Sequence, residues 1–257
     1  MALTEEIQKQ LLTALEKYNP ESPLTMLFDY VRIRFPTTDV KHVIEDILRL
    51  KQDMMIHEDF GFYSYSEHYV IGDVFVVTSA DEEKGTLLEL KGKGCRQMEG
   101  YLLAQHRSWY DFLMDALGDG GVMKRLDLAI NNMAGMLDIP DLTEKCNQEE
   151  CISVFRSFKS YRSGELVRSH EQDGYSMGNT LYIGSLKSEV YFCIYEKNYE
   201  QYVKNGIPIG DTKIKNRFEI RLKNERAYHA VCDLLNYYDA ELDRQAGCPY
   251  MENAAKD

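Results

Sequence analysis

The chain has 257 residues, which is enough for one large domain or for two modest ones, each with its own core. Hydrophobic content of 44% and charged content of 28% are typical of a globular protein, and no apolar run reaches the roughly 20 residues of a membrane-spanning helix. The amphipathic, acidic start excludes a secretory signal peptide. Six cysteines without a Cys-x-x-Cys pair favour reduced thiols in the cytoplasm over a zinc site or disulfides.

The first half of the chain alternates between helical and strand-like periodicity. Proline and glycine residues interrupt the pattern between these segments. In chain order we predict a helix over 4–17, a linker at 19–23, a strand over 29–35, a helix over 38–51, strands at 62–70, 73–79 and 86–94, a long helix over 96–117 and a strand over 122–131.

The second half repeats the order of strands followed by a helix. It predicts a helix over 141–152, strands at 180–185, 189–197 and 216–223, and a closing helix over 224–237. These elements predict an α+β fold, a mainly antiparallel sheet with helices packed on one face and built from two related halves. We expect residues 1–22 to form a helix and linker, 23–237 a single domain, and 238–257 a disordered tail.

The net charge of −12 argues against nucleic-acid binding, but basic side chains are concentrated in three stretches. Such stretches are most often solvated faces, and their recurrence in an acidic chain makes a DNA-binding role more plausible. The stretches are Lys91, Lys93 and Arg96; Arg156, Lys159, Arg162 and Arg168; and residues 213–226.

Strand alternation places several chemically capable side chains on polar strand faces. Asp127, Glu219 and Tyr195 each lie opposite the apolar face of their strand, together with Arg125, Arg217, Arg221 and Lys197. Two carboxylates can hold a divalent ion, a tyrosine can attack a phosphate, and the bases can hold the flanking phosphates. The alternative is structural: the acids pair with Arg125 and Arg217 as surface ion pairs.

Other catalytic motifs are missing from the sequence. There is no His-x-His metal motif, no phosphate-binding P-loop and no Gly-x-Ser-x-Gly. The glycine-rich GKGCR at 92–96 could let the backbone approach a phosphate, or it could form a tight turn into the next helix.

Six ordered blocks resemble the replication initiation factor (Rep_trans) family, and within it the MobT-type relaxases of conjugative transposons. The resemblance extends from Asp29 to Leu235. The blocks are DYVRIRF at 29–35, ELKGKGCRQME at 89–99, MKRLDLAIN at 123–131, ECISVFRSFKSYRSGE at 150–165, MGNTLYIGSLKSEVYFCIYEKNYEQ at 177–201 and NRFEIRLKNERAY at 216–228.

The resemblance implies an enzyme that nicks and rejoins one DNA strand at an origin, forming a 5′-phosphotyrosyl bond and a free 3′ hydroxyl. The nucleophile motif of the family, RIY[ED]K, reads Cys193 to Lys197 here and makes Tyr195 the expected nucleophile. Glu196 becomes a further candidate base or ligand. The acidic motifs of the family fall on Asp127 and Glu219, which implies a site for Mg²⁺ or Mn²⁺.

The implied partners are single-stranded or double-stranded origin DNA, a host helicase and a transfer accessory protein, with a dimer as one alternative and no membrane. The expected DNA contacts are Lys91, Lys93, Arg96, Arg125, Arg156, Lys159, Arg162, Lys197, Arg217 and Arg221.

Two features depart from the family pattern. Cys193 replaces the arginine that is usual in the nucleophile motif, and residues 236–257 do not resemble the continuation of family members. The second departure leads us to expect a truncated or frameshifted copy, or a single domain of a longer relaxase. Two alternatives to an active nicking enzyme therefore stay open, an inactive remnant that binds origin DNA and an α+β protein with no nucleic-acid role.

Overall fold

The computed structural model describes residues 23–164 and 176–245. They divide into two compact units. Of the described residues, the amino-terminal unit contains Tyr30–Arg125 and the helix that starts at Asn224, and the central unit contains 23–29, 126–164 and 176–223. The predicted helix over 4–17, most of its linker, and Arg168 lie outside the described residues.

The amino-terminal unit is built on antiparallel strands in the order β2-β3-β4-β5-β1. Three of its helices follow β1 and β5 in the chain, and the fourth is the closing helix that starts at Asn224. The strands are β1 (Leu24–Phe35), β2 (Ile56–Glu58), β3 (Glu67–Ile71), β4 (Val74–Thr78) and β5 (Thr86–Lys91); the helices are α1 (Val40–His42, continued by a π-helical turn at Val43–Ile47), α2 (Gly92–Ala104), α3 (Trp109–Gly118) and α6 (Asn224–Gln245), with a 3-10 turn at Gln52–Met54.

The single helix predicted over 96–117 is wrong, because the chain forms α2 and α3 instead. The Ser108 side chain accepts a hydrogen bond from the Asp111 amide, and the Asp111 carboxylate accepts one from the Ser108 amide. This capping box begins a new helix inside a continuous apolar pattern. His106, with φ of 53°, turns the chain between the two helices.

The glycine-rich stretch at 92–96 is the first turn of α2 rather than a loop. A Cβ at Gly94 would lie 2.3 Å from the carbonyl oxygen of Asp73 in the β3–β4 turn. Glycine is therefore needed here for close packing of the helix start on the hairpin. This packing favours the structural interpretation of GKGCR over phosphate binding.

The central unit is built on strands in the order β1-β6-β10-β9-β8-β7, with β1 and β6 each shared between the units. Pairing of β7 with β8, β8 with β9 and β9 with β10 is antiparallel. The remaining elements are β6 (Val122–Asn132), α4 (Ile139–Asn147), β7 (Phe158–Gly164), β8 (Ser176–Ile183), β9 (Val190–Glu196), α5 (Lys197–Asn205), a 3-10 turn at Ile209–Asp211 and β10 (Asn216–Lys223).

One face of the central sheet is apolar. Ile139 at the start of α4 packs against Leu181 of β8 and Ile194 of β9, and all three side chains are buried. The opposite face carries Tyr195 and the polar side chains of the neighbouring strands, with α5 beside it. Burial of the apolar face orients β8 and β9, so that their alternate residues must face the polar side.

The predicted α+β fold with a mainly antiparallel sheet is confirmed. Several predicted boundaries differ from the structure. Among the helices, α4 spans Ile139–Asn147 rather than 141–152, and α6 continues to Gln245, so that residues 238–245 are helical. The exposed β7 and the short α5 were not predicted, because neither shows an apolar period of its own. None of the described helices is long and apolar enough to span a membrane.

Candidate active site

Tyr195 lies near the end of β9, between Thr180 of β8 and Arg217 of β10 in the sheet register. Its hydroxyl donates a 2.8 Å hydrogen bond to Oε1 of Glu219. Burial raises the pKa of Tyr195 far above its usual value, and the charge of Glu219 raises it further. The phenol is therefore protonated here, with a carboxylate already in position to accept its proton.

Glu219 and Asp127 are both buried, at 2% and 3% exposure, on the neighbouring strands β10 and β6. Arg221 joins them: its Nε and Nη2 lie 2.9 and 2.6 Å from Oε2 of Glu219, and its Nε lies 3.7 Å from Oδ2 of Asp127. Burial raises the pKa of Glu219, against the effect of Arg221. The structure thus brings Tyr195, Glu219 and Asp127 together on one face.

The ion pairs differ from those weighed in the structural alternative. Arg221, not Arg217, is ion-paired with Glu219, and Arg217 donates instead to Asp29 and Asn131, each at 2.8 Å. Arg217 is buried within these contacts. It therefore organises the polar face across β1, β6 and β10, and these buried pairs are not surface ion pairs.

Lys197 begins α5 directly after the strand that carries Tyr195. Its Nζ lies 3.4 Å from the Tyr195 hydroxyl and forms an ion pair with Glu200, one helical turn further on. Sequence reasoning missed Glu200, although the spacing of three residues from Lys197 would have indicated the pair had α5 been predicted. The lysine supplies a positive charge close to the Tyr195 hydroxyl.

Glu196, the further candidate base or ligand, is held by hydrogen bonds to Asn179. Its Oε2 accepts hydrogen bonds from the backbone amide and the side-chain amide of Asn179, at 2.7 and 2.8 Å. Gly178 allows the strand β8 to approach α5 closely, because a Cβ at this position would lie 2.8 Å from Cβ of Tyr199. Its φ of +96° also favours glycine. Glu196 therefore ties β8 to the start of α5, and Glu219 is the carboxylate bonded to the Tyr195 hydroxyl.

A cavity of about 350 Å³ lies beside the Tyr195 side chain. This volume is within the range of small-ligand sites. Polar and charged side chains form much of its wall. The lining residues are Ser163, Met177, Gly178, Asn179, Thr180, Tyr182, Cys193, Tyr195, Glu196, Glu200, Val203, Lys204 and Arg221.

Cys193 occupies the motif position at which the family usually has arginine. It is 2% exposed and pairs with Glu219 across β9 and β10. Burial raises the pKa of the Cys193 thiol to about 12, so that it is a neutral thiol at physiological pH. Arg221 lines the same cavity and supplies a guanidinium on this face.

The expected metal site does not fit the arrangement of these side chains. Arg221 contacts both Asp127 and Glu219, so that a shared Mg²⁺ or Mn²⁺ would have to displace its guanidinium. Within the ranges 23–164 and 176–245, no group of three or more His, Cys, Asp and Glu side chains could hold a metal ion. We therefore derive no step of the chemistry through a metal.

The other predicted DNA contacts are carried by several different elements of the fold. Lys91, Lys93 and Arg96 lie at the start of α2 and are exposed, while the Arg125 guanidinium stacks over the Tyr30 ring. Arg156, Lys159 and Arg162 are exposed on and before the strand β7. Their common role as one DNA surface remains a prediction.

Comparison with known proteins agrees with this geometry. Residues 121–246 match the family model described as replication initiation factor, and residues 25–115 match that of the rolling circle replication initiation protein N-terminal domain. The chain has the fold of a rolling circle replication initiator protein from Geobacillus stearothermophilus, with a TM-score of 0.67 and 24% identity, over 86% of this chain and 84% of that one.

A curated relative has higher identity. Over 223 residues the chain is 44% identical to a protein of Bacillus subtilis (strain 168) described as a candidate DNA relaxase, NicK. The match covers 86% of this chain and 62% of the relative, so that this chain spans less than two thirds of its length. Residues 121–246 of the chain therefore belong to the replication initiation factor family.

Proposed function

We propose that this protein nicks one strand of origin DNA, with Tyr195 as the nucleophile. The observation that carries the proposal is the 2.8 Å hydrogen bond from the Tyr195 hydroxyl to the buried carboxylate of Glu219, at the wall of a cavity. A tyrosine and a base in hydrogen-bond contact are the arrangement that nucleophilic attack requires. Family membership supports DNA as the substrate.

In the proposed step, the Tyr195 oxygen attacks the scissile phosphorus and its proton passes to Glu219. The bond from phosphorus to the 3′ oxygen breaks, that oxygen takes up a proton, and the 5′ phosphate stays on the tyrosine. Because the pKa of Tyr195 is strongly raised, proton transfer to Glu219 must accompany the attack rather than precede it. The phosphotyrosyl bond keeps the energy of the phosphodiester, so that the strand can be rejoined without ATP.

Positive charge on the same face suits a phosphate substrate. Lys197, at 3.4 Å from the Tyr195 oxygen, would stabilise the developing negative charge, and Arg221 would contact a phosphate oxygen from the cavity wall. Arg217 is buried against Asp29 and Asn131, so that its task is to hold the strands in place. We therefore keep Lys197 and Arg221 as phosphate contacts at this site.

The proposal is tested with supercoiled plasmid carrying the cognate origin, incubated with the full chain in the presence and absence of Mg²⁺ or Mn²⁺. We expect nicked circles with covalently attached protein, and we expect Tyr195→Phe to form none while it retains the fold, because only the hydroxyl is removed. Tyr202→Phe is the matched control, since Tyr202 is 40% exposed on α5. An adduct of normal yield with Tyr195→Phe would show that another group attacks.

A second function is favoured by one feature of the site. Arg221 contacts both carboxylates where a metal ion was expected, as in a protein that binds origin DNA without cutting it. In that case, the parent would shift the plasmid in a gel and leave it supercoiled under every metal condition. The same assay therefore separates the two functions.

A further inference from the structure

A second polar cluster lies in the amino-terminal unit, around the carboxylate of Glu89. This side chain is buried, and its Oε1 accepts hydrogen bonds from the hydroxyls of Tyr30 and Tyr63 and from the guanidinium of Arg32. The ammonium group of Lys91 lies 3.2 Å from its other oxygen. The cluster thus combines tyrosine, glutamate and arginine, as the site around Tyr195 does.

The cluster carries more positive than negative charge. Two cations, Arg32 and Lys91, form ion pairs with the single carboxylate of Glu89. The guanidinium of Arg125 lies 4.0 Å from the centre of the Tyr30 ring. Lys91 has an exposed side chain and Arg32 a partly exposed one. Such an excess of cations at a partly exposed position suits a phosphate anion.

Tyr63 provides the aromatic surface of the cluster, and it is held in a strained conformation. Its φ is 58° and that of Ser64 is 65°, values that a bulky residue rarely adopts. The surroundings impose this conformation: the Tyr63 hydroxyl bonds Glu89 at 3.0 Å, and Nζ of Lys84 bonds the Ser64 carbonyl at 2.7 Å. Strain that the surroundings maintain is characteristic of functional positions.

The Tyr63 ring is positioned to stack. The guanidinium of Arg32 lies 4.5 Å from the centre of the ring, yet Tyr63 is 52% exposed. Arg32 thereby fixes the ring in place, and solvent reaches the rest of it. Glu58 and Asp59, which precede Tyr63 in the chain, are acidic and exposed and would repel a phosphate. The candidate surface is therefore limited to Tyr63 and the basic side chains of the cluster.

We propose that Tyr63, Arg32, Lys91 and Arg125 form a subsite for single-stranded DNA, with a base stacked on Tyr63 and the adjacent phosphate held by Lys91 and Arg32. The inference rests on the proposed function, because a nick at Tyr195 leaves strand ends that can separate from the complementary strand as single-stranded DNA. A ring can stack on a base only where the base is free of its duplex neighbours, which selects single strands. Tyr30 is buried under Arg125, so that it serves as structure and not as a second nucleophile.

The test measures fluorescence anisotropy of a labelled oligothymidylate of about 12 nucleotides, a length that a single-strand site can cover. The competing probe is an abasic oligonucleotide of the same length, which has the phosphates without the bases. We expect Tyr63→Leu to weaken oligothymidylate binding about tenfold and to leave abasic binding unchanged, because leucine fills space but cannot stack. Tyr237→Leu, at a 69% exposed tyrosine of α6, is the control and should bind like the parent.

Two outcomes would overturn the subsite. One is Tyr63→Leu binding oligothymidylate as well as Tyr237→Leu does. The other is a parent that binds both probes equally, a comparison that needs no variant to fold. Neither measurement requires nicking, so that a failure of Tyr195 to form an adduct would count against the proposed function alone.

Discussion

Replacing Glu219 with glutamine removes the proton acceptor of Tyr195 and leaves the side-chain volume almost unchanged. The amide oxygen can still accept the 2.8 Å hydrogen bond from the Tyr195 hydroxyl, so that the Tyr195 side chain should keep its position. It cannot take the proton, and a positioned general base contributes about 10²- to 10⁴-fold to a rate. We expect adduct formation to slow by about that factor.

The pH dependence of the rate of adduct formation provides a second test of the same prediction. Burial raises the pKa of Glu219, and the base must be ionised to act, so that the parent should lose nicking as the pH falls through this raised value. The Glu219→Gln variant has no such group and should show a flat profile over the same range. Single-turnover rates of adduct formation between about pH 5 and 8 measure both slopes, since that window lies above the usual glutamate pKa.

A loss of fold must be separated from a loss of chemistry, because the substitution also removes the charge that Arg221 contacts at 2.6 Å. Thermal unfolding of the variant provides that control. Glu196→Gln tests the competing base, and we expect a smaller effect from it because Glu196 bonds Asn179. Should Glu219→Gln keep the parental rate and pH profile while folded, Glu219 is not the base.

Two further expectations concern packing and metal binding. Gly94→Ala should lower the free energy of unfolding by about 1–3 kcal/mol in urea titrations, because its Cβ would meet a backbone carbonyl at 2.3 Å. Gly100→Ala in the same helix has open space and should raise the free energy of unfolding by about 0.5–1 kcal/mol. Equal effects of the two substitutions would contradict the packing argument. Arg221→Gln should strengthen Mn²⁺ binding about tenfold in calorimetry, because Asp127 and Glu219 lose the cation between them. If the parent binds Mn²⁺ tightly and Arg221→Gln binds it more weakly, the guanidinium does not block the two carboxylates.

Alternation along single strands was enough to predict which side chains share a face. Tyr195 and Cys193 lie on one side of β9 and Ile194 on the other, because successive residues of a strand point in opposite directions. The same rule identified Glu219 with Arg217 and Arg221 on β10. The proposal that Tyr195 is the nucleophile came from the resemblance of the CIYEK motif to that of a known family, since alternation places Tyr191 on the same strand face.

Contacts between distant segments could not be predicted, because they depend on strand order and register. Asp29 and Arg217 are 188 residues apart in the chain, and only the neighbouring positions of β1, β6 and β10 bring them to 2.8 Å. The same neighbours decide that Arg221, two residues beyond Glu219, joins both acids where a metal ion was expected. The sequence by itself determined which residues could act on each strand, while tertiary structure decided their partners, because pairing energies depend on which strands become neighbours and in what register.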